Sequence, residues 1–193
     1  MSPSSTTPGP LVLVLGGARA GKSRWAEAAA RAHAAAGDRI VVVATAEAFD
    51  DDMAARIARH RAERPAHWET REAPRDLARA VEDLGPGTTV LIDCLTLWTS
   101  NLLLAAPEPT DPRLEHDADA AAAALVALHA RTGARWIVVS NEVGLGVVPA
   151  TALGGRYRDA LGRVNARVAA AADQVVLLVA GLPLVLKGAP ASA

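Results

Sequence analysis

Short apolar runs alternate with longer helical segments along the chain. Nearly continuous apolar runs occur at residues 11–15, 40–44, 88–93, 136–140 and 174–180. Runs of this length predict β-strands that are buried on both faces, as in a parallel sheet. Residues 185–186 add a candidate edge strand after the last run.

The segments between these runs have the composition and spacing of helices. They cover residues 22–36, 50–61, 74–84, 95–104, 114–131 and 157–172. Strands that alternate with helices indicate a mainly parallel sheet with helices on both faces. We therefore predict a single three-layer α/β domain over residues 11–187. Residues 1–10, rich in Ser, Thr and Pro, are predicted to be a disordered leader, and residues 188–193 a short tail.

The composition narrows the class of protein. Hydrophobic residues make up 51% of the 193 residues but aromatic residues only 3%, so Ala, Val and Leu carry the core. A net charge of −1 gives no overall attraction to nucleic acid, and no such partner is expected. The longest apolar candidate, residues 175–186, is shorter than the roughly 20 residues that span a bilayer, so no membrane insertion is expected. The single cysteine, Cys94, excludes an internal disulfide, and a soluble cytoplasmic protein is predicted.

The first apolar run leads directly into a glycine-rich motif. It consists of Gly16, Gly17, Ala18, Arg19, Ala20, Gly21, Lys22 and Ser23. Glycine at the first and sixth positions, followed by Lys and Ser, is the pattern of a P-loop, whose backbone N–H groups surround phosphates. A glycine-rich turn without catalytic meaning is the alternative. The motif follows a predicted strand and opens a predicted helix, which favours a P-loop NTPase-like domain with Lys22 at the terminal phosphates and Ser23 on Mg²⁺.

A carboxylate follows the third apolar run. P-loops work with an acid at the end of a neighbouring strand, and Asp93 ends the run over residues 88–93. The carboxyl edge of a parallel sheet is where ligands bind. Asp93 is therefore a predicted ligand of Mg²⁺, although it is also placed to cap the helix that follows.

His60 lies among arginines on the predicted helix over residues 50–61. Arg56 is four residues before it and shares its face, and Arg59 and Arg61 are adjacent. A neutral imidazole is a competent nucleophile toward phosphorus, and guanidinium groups can hold the remaining phosphate oxygens. A histidine on a helix is more often an ordinary surface residue, so the spacing alone leaves both interpretations open.

Several motifs in order resemble one known family. They are residues 16–24, 44–47, 51–57, 60–61, 65–68, 93–98, 100–103, 140–149, 158–159 and 162–165. Together they resemble the bifunctional adenosylcobinamide kinase/adenosylcobinamide-phosphate guanylyltransferase family, and the resemblance covers nearly all of residues 11–187. Ala20 stands where the family usually has Ser, which removes a hydroxyl but leaves the backbone of the loop intact.

The resemblance implies two reactions with ATP and GTP as substrates and Mg²⁺ as cofactor. A nucleoside triphosphate phosphorylates the aminopropanol hydroxyl of adenosylcobinamide, and GMP from GTP then passes through an enzyme histidine to the phosphorylated corrinoid. His60 matches the family's guanylylated histidine. The other implied nucleotide contacts are Ala46, Glu47, Ala48, Arg61, Ala62, Glu63, Arg64, Glu72 and Asp93. A homo-oligomer, plausibly a trimer, is also implied.

Alternatives remain for the function and for some of these residues. The chain could be a P-loop kinase of another small hydroxylated metabolite with no covalent step, or a GTP-binding switch protein. Glu47 and Glu72 could be solvated acids. Asn141 and Glu142 follow a predicted buried strand and could either face the site or cap a turn.

Overall fold

A computed structural model describes residues 7–48 and 50–189, except the side chains of Arg56 and Glu63. Its strands are β1 Leu11–Gly16, β2 Arg39–Ala44, β3 Glu69–Glu72, β4 Thr88–Asp93, β5 Arg135–Val139, β6 Gln174–Val179 and β7 Leu182–Lys187. Its helices are α1 Lys22–Ala35, α2 Asp51–Glu63, α3 Leu77–Val81, α4 Leu95–Ala105, α5 Leu114–Thr132 and α6 Ala152–Ala171.

The strands form one sheet in the order β3-β2-β4-β5-β1-β6-β7. All neighbouring pairs are parallel except β6 and β7, which are antiparallel. Because β1 to β6 run in the same direction, their carboxyl ends lie along one edge of the sheet. The predicted fold class, a three-layer α/β domain with a mainly parallel sheet, is confirmed.

The core has two parts, one on each face of the sheet. On one face the strands pack against α1 through Ala26 and Ala30, and Trp68 joins this cluster. On the other face they pack against α3 to α6, with residues such as Leu95 and Val164. Alternate residues of one strand enter the two clusters, which is why the strand sequences are continuously apolar.

The strand order corrects one expectation about the site. We expected Asp93 at the end of a strand next to β1, but β5 lies between β1 and β4 and pairs with both. The acid is therefore one strand further from the phosphate loop than neighbouring strands would place it. It still lies at the same edge of the sheet.

Strand β3 was not predicted, because none of its four residues is apolar. It pairs only with β2 among the described strands, at the edge of the sheet, where a continuous apolar sequence is not required. The Arg71 guanidinium attaches it to the α3 region, donating to the Ala80 carbonyl at 2.8 Å and to the Asp83 carboxylate. An edge strand of this kind gives no periodic signal.

Two predicted helices differ from the structure by three or more residues at one or both ends. α3 is shorter than the predicted segment and begins after Asp76, whose carboxylate accepts from the Arg79 amide at 3.1 Å. α6 begins five residues before the predicted start at Tyr157. Thr151 caps it by accepting from the Gly154 amide at 3.1 Å. The two glycines in its first turn obscured this start in the sequence.

The chain ends are only partly covered. Of the predicted leader, residues 7–10 are described, and the Pro10 carbonyl accepts from the Trp136 amide at 2.8 Å. The other six residues of the leader and residues 190–193 of the tail lie outside the described ranges. The division into leader, domain and tail therefore stays a prediction. Within the described ranges, no helix combines the length and apolar character needed to cross a bilayer.

Candidate nucleotide-binding site

The phosphate loop connects β1 to α1 and needs glycine at both ends. Gly16 has φ 152°, and a Cβ there would lie 2.6 Å from the Leu178 carbonyl oxygen of β6. Gly21, the residue before α1, has φ 96°. Residues with a side chain rarely adopt these backbone conformations, so backbone geometry favours glycine at both positions, and close approach to Leu178 adds a second requirement at Gly16.

Lys22 lies at the start of α1 with its side chain directed back along the loop. It is buried, and its Nζ donates to the Gly17 carbonyl at 2.6 Å. The residue before α1 is Gly21, so no side chain at that position caps the first turn of the helix. The N–H groups of a first helical turn and a lysine ammonium together form an anion-binding site.

Two cavities adjoin this loop. The phosphate-loop cavity, of about 510 Å³, is lined by the loop from Ala18 to Ser23 and by Arg59 and Asn141. The inner cavity, of about 90 Å³, is lined by Ala46, Met53, Ile57, Arg61, Arg64, Thr70 and Glu72. Both are also lined by Ser23, His60, Asp93, Cys94 and Leu97. The structure thus places His60 of α2 at the boundary between the two cavities, in the lining that they share with Ser23 and Asp93.

Arg64, just after α2, forms an ion pair inside this site. Its Nη2 lies 3.6 Å from Asp93 Oδ2, and its side chain is only 9% exposed. Its Nε has no hydrogen-bond partner among the described groups. A buried guanidinium with an unused donor is suited to bind a phosphate oxygen, because charge-assisted hydrogen bonds satisfy such donors most strongly.

A buried hydrogen-bond network holds the end of β4. The Thr45 amide donates to the Asp93 carbonyl at 3.1 Å. The Thr45 hydroxyl donates to the Cys94 carbonyl at 2.7 Å, and the Thr45 hydroxyl oxygen accepts from the Cys94 backbone amide at 2.8 Å. Asn101 of α4 donates through Nδ2 to the carbonyls of Thr45 and Pro74, at 2.8 and 3.0 Å. The position of Asp93 therefore depends on α4, a role that the sequence did not predict for Thr45 or Asn101.

Glu27 is a further carboxylate that sequence reasoning missed. It lies one helical turn beyond Ser23 on α1, and it is half-buried. Burial raises the pKa of Glu27, while the Arg64 guanidinium lowers it and the Asp93 carboxylate raises it. These charge interactions place Glu27 close to the Asp93–Arg64 pair. The sequence signal for Glu27 was a carboxylate four residues after the P-loop serine in an otherwise Ala-rich helix, which puts it on the same helix face as Ser23.

Asn141 and Glu142 have different roles. Asn141 lines the phosphate-loop cavity. Its backbone amide donates to the Thr96 hydroxyl at 2.7 Å, and its backbone carbonyl accepts from the Asn165 side chain at 2.9 Å. The Glu142 carboxylate accepts from the Gly144 amide at 2.7 Å and so caps a turn. Asn141 therefore fits the alternative of a residue that faces the site, and Glu142 fits the alternative of a residue that caps a turn.

The remaining predicted contacts are only partly brought together. Glu72 lines the inner cavity and forms an ion pair with Arg61. Glu47 lines neither cavity and lies 3.0 Å from Arg75. Ala48 and Ala62 are exposed and also line neither cavity. The side chain of Glu63 lies outside the described part of the chain.

Comparisons with known proteins find relatives of the chain over most of its length. The chain is 42% identical over 186 residues to the bifunctional adenosylcobalamin biosynthesis protein CobU of Salmonella typhimurium, covering 92% of this chain and 99% of the relative. It is 47% identical over 180 residues to the bifunctional adenosylcobalamin biosynthesis protein CobP of Pseudomonas aeruginosa, covering 92% and 98%. A solved ATPase domain superposes with a TM-score of 0.54 at 12% identity, covering 87% of this chain and 68% of that one, which shows the fold alone.

A family-wide sequence comparison extends over almost the whole domain. The family described as cobinamide kinase / cobinamide phosphate guanyltransferase matches residues 12–186. This range includes the phosphate loop, His60, Asp93 and all the strands except for single residues at the ends. The chain therefore belongs to the cobinamide kinase / cobinamide phosphate guanyltransferase family.

Proposed function

We propose that the chain phosphorylates adenosylcobinamide with ATP or GTP and then transfers GMP from GTP to the product through a covalent bond to His60. Membership of the family supports the two activities. The observation that carries the histidine step is the position of His60, on α2, at the boundary of two cavities that both reach Ser23 and Asp93. A nucleophile there would face the cavity that a triphosphate bound in the phosphate loop would enter.

In the kinase reaction, the loop would hold the triphosphate by its backbone N–H groups and by Lys22. Lys22 would exchange its contact with the Gly17 carbonyl for a phosphate oxygen. The hydroxyl of the acceptor attacks the γ-phosphorus, the bond to the β-phosphate oxygen breaks, and the nucleoside diphosphate leaves. The hydroxyl proton passes to solvent or to a nearby carboxylate.

Ser23 and Asp93 are the groups that would hold Mg²⁺. Both line both cavities, and a hydroxyl with a carboxylate fits the oxygen ligands that this ion prefers when phosphates and water complete its coordination. The bound ion would neutralise charge on the phosphates. Arg64, now paired with Asp93, would then be released to hold a phosphate oxygen.

In the guanylyltransferase reaction, a ring nitrogen of His60 attacks the α-phosphorus of GTP. The P–O bond to the β-phosphate breaks, and pyrophosphate leaves. A phosphate oxygen of adenosylcobinamide phosphate then attacks the same phosphorus, and the P–N bond breaks. The products are adenosylcobinamide-GDP and free His60. Arg61 and Arg64 would stabilise the developing negative charge, and Ala46 and Glu72 would contact the nucleoside in the inner cavity.

Labelling with radioactive GTP tests the covalent step. Incubation with α-labelled GTP should leave acid-labile, base-stable label on the protein, and γ-labelled GTP should leave none. His60→Ala should abolish the label. His67→Ala is the matched control, because His67 is exposed in the same segment and should label fully. Equal labelling of His60→Ala and the parent would show that His60 is not the GMP carrier.

The assembly and location of the chain remain predictions. A trimer is expected from the resemblance, and sedimentation equilibrium of the purified chain would measure its mass. The cytoplasmic location expected from the sequence can be checked by cell fractionation.

A further inference from the structure

Large apolar side chains are exposed beside the phosphate loop. Val147 and Leu145, after β5, are 95% and 85% exposed, and Val148 is also exposed. Leu182, after the turn that follows β6, is 71% exposed, and Val179 at the end of β6 is exposed as well. We call Leu145, Val147, Val148, Val179 and Leu182 the apolar rim.

The topology places the two parts of the apolar rim on opposite sides of the phosphate loop. β5 and β6 are the two neighbours of β1, and both run parallel to it. The segments that follow these three strands therefore leave the same edge of the sheet, with the phosphate loop in the middle. The exposed apolar groups thus border the entrance to the phosphate site.

Hydrogen bonds attach both segments to the loop itself. On the β5 side, the Glu142 amide donates to the Gly16 carbonyl at 3.1 Å. On the β6 side, the Gly181 amide donates to the Ala20 carbonyl at 3.1 Å. A Cβ on Gly21 would lie 3.5 Å from the Gly181 Cα, so the turn is in direct contact with the loop. A molecule held on the rim is within reach of the phosphates.

The chemistry of the acceptor matches this surface. Its reacting hydroxyl is at the end of an aminopropanol arm, and its body is a corrin ring whose periphery carries methyl groups and uncharged amide side chains around a cobalt centre with a single positive charge. A cavity of 510 Å³ is typical of a site for one small ligand, so with a nucleotide bound in the phosphate-loop cavity the ring would lie outside its entrance. Residues 143–149, which include part of the rim, carry no ionisable side chain. They therefore offer apolar contact to the methyl groups and backbone hydrogen bonds to the amides of the ring periphery, and no cationic side chain that would repel the cobalt centre.

We infer that the apolar rim binds the corrin ring of the acceptor and directs its aminopropanol arm into the phosphate-loop cavity. This inference rests on the proposed function for the identity of the acceptor. It adds the location of the acceptor, which the nucleotide-site residues do not specify. Contact with the ring would cover the rim side chains, which the described chain leaves in water.

Binding of adenosylcobinamide to rim variants tests this inference without any turnover. The variants are Leu145→Ser combined with Val147→Ser, and separately Leu182→Ser. The matched control is Leu186→Ser, because Leu186 is 55% exposed on β7 but lies toward the opposite end of the strand. Equilibrium dialysis, read from the visible absorbance of the corrinoid, should show Kd raised roughly tenfold in the rim variants and unchanged in the control.

Two further measurements separate the possible outcomes. GTP labelling of His60 needs no corrinoid and should be unchanged in every rim variant, so it tests the covalent step independently. Sedimentation velocity should show the parent mass in all variants. Unchanged corrinoid affinity in the rim variants would overturn the inference. Dissociation of an oligomer together with the loss of affinity would also overturn it, because the rim would then be an interface between copies.

Discussion

Asn101 is the residue whose replacement tests the site network most directly. Its side chain is buried on α4, and its one amide group serves the carbonyls of two separate segments, at Thr45 and Pro74. Thr45 in turn holds the backbone at Asp93. The variant Asn101→Leu keeps the size of the side chain but removes both hydrogen bonds.

The expected loss of stability follows from the two carbonyls left without a donor. A buried polar group without a partner costs about 1–3 kcal/mol. The Thr45 bond is fully buried and the Pro74 bond partly buried, so together they cost about 3–4 kcal/mol by the same scale. The leucine side chain regains about 1–2 kcal/mol by burying apolar surface. The net decrease in the free energy of unfolding is therefore about 2 kcal/mol, or roughly 4–8 °C in Tm for a chain of this length.

Urea unfolding followed by circular dichroism measures this difference. The matched control is Thr99→Val on the same helix, because Thr99 is fully buried and its hydroxyl has no partner among the described groups. Its replacement removes a buried hydroxyl that already lacks a partner, so the free energy of unfolding should be unchanged or higher, and not lower. Asn101→Leu should also slow the GTP labelling, since Asp93 loses its backbone support. A loss below about 0.5 kcal/mol for Asn101→Leu, or an equal loss for Thr99→Val, would refute this reasoning.

Two further predictions concern the stability of the fold. Gly155→Ala should raise the free energy of unfolding by about 0.5–1 kcal/mol, because a Cβ there meets nothing within 4 Å and alanine favours the helix. Gly154→Ala should lower it, because its Cβ would lie 2.8 Å from the Pro149 Cβ; equal Tm changes for the two variants would contradict the packing argument. His129 packs edge-on against Trp136, and burial lowers the pKa of its imidazole. On acidification the unfolded chain therefore binds a proton at this residue more readily than the folded chain does. Stability should therefore fall as pH drops below about 6.5, and His129→Phe should reduce that slope in urea titrations at pH 7.5 and 5.5; an unchanged slope would exclude His129 as a cause.

Much of the fold was predictable because its strands are buried on both faces. The run over residues 88–93 coincides with β4, and the first run with most of β1. Strand β3 was missed because an edge position does not require apolar residues, and its charged side chains are satisfied by ion pairs. The start of α6 was missed because two glycines lie in its first turn, whereas the Thr151 side chain caps the helix there.

The phosphate loop could be recognised from the sequence alone. Its eight residues are consecutive, and the turn, the anion-binding N–H groups and the lysine all depend on local backbone conformation. The family motifs likewise singled out His60 and Asp93, although they said nothing about where these residues meet. No local sequence pattern indicated that both residues line the same cavities.

Which distant groups meet at the loop depends on the tertiary structure. It placed β5 between β1 and β4, brought His60 to the boundary of the two cavities and paired Arg64 with Asp93. It also placed the two parts of the apolar rim on either side of the loop. These contacts join residues far apart in the chain, and they follow from strand order and helix packing. Such packing depends on the whole core rather than on any one segment.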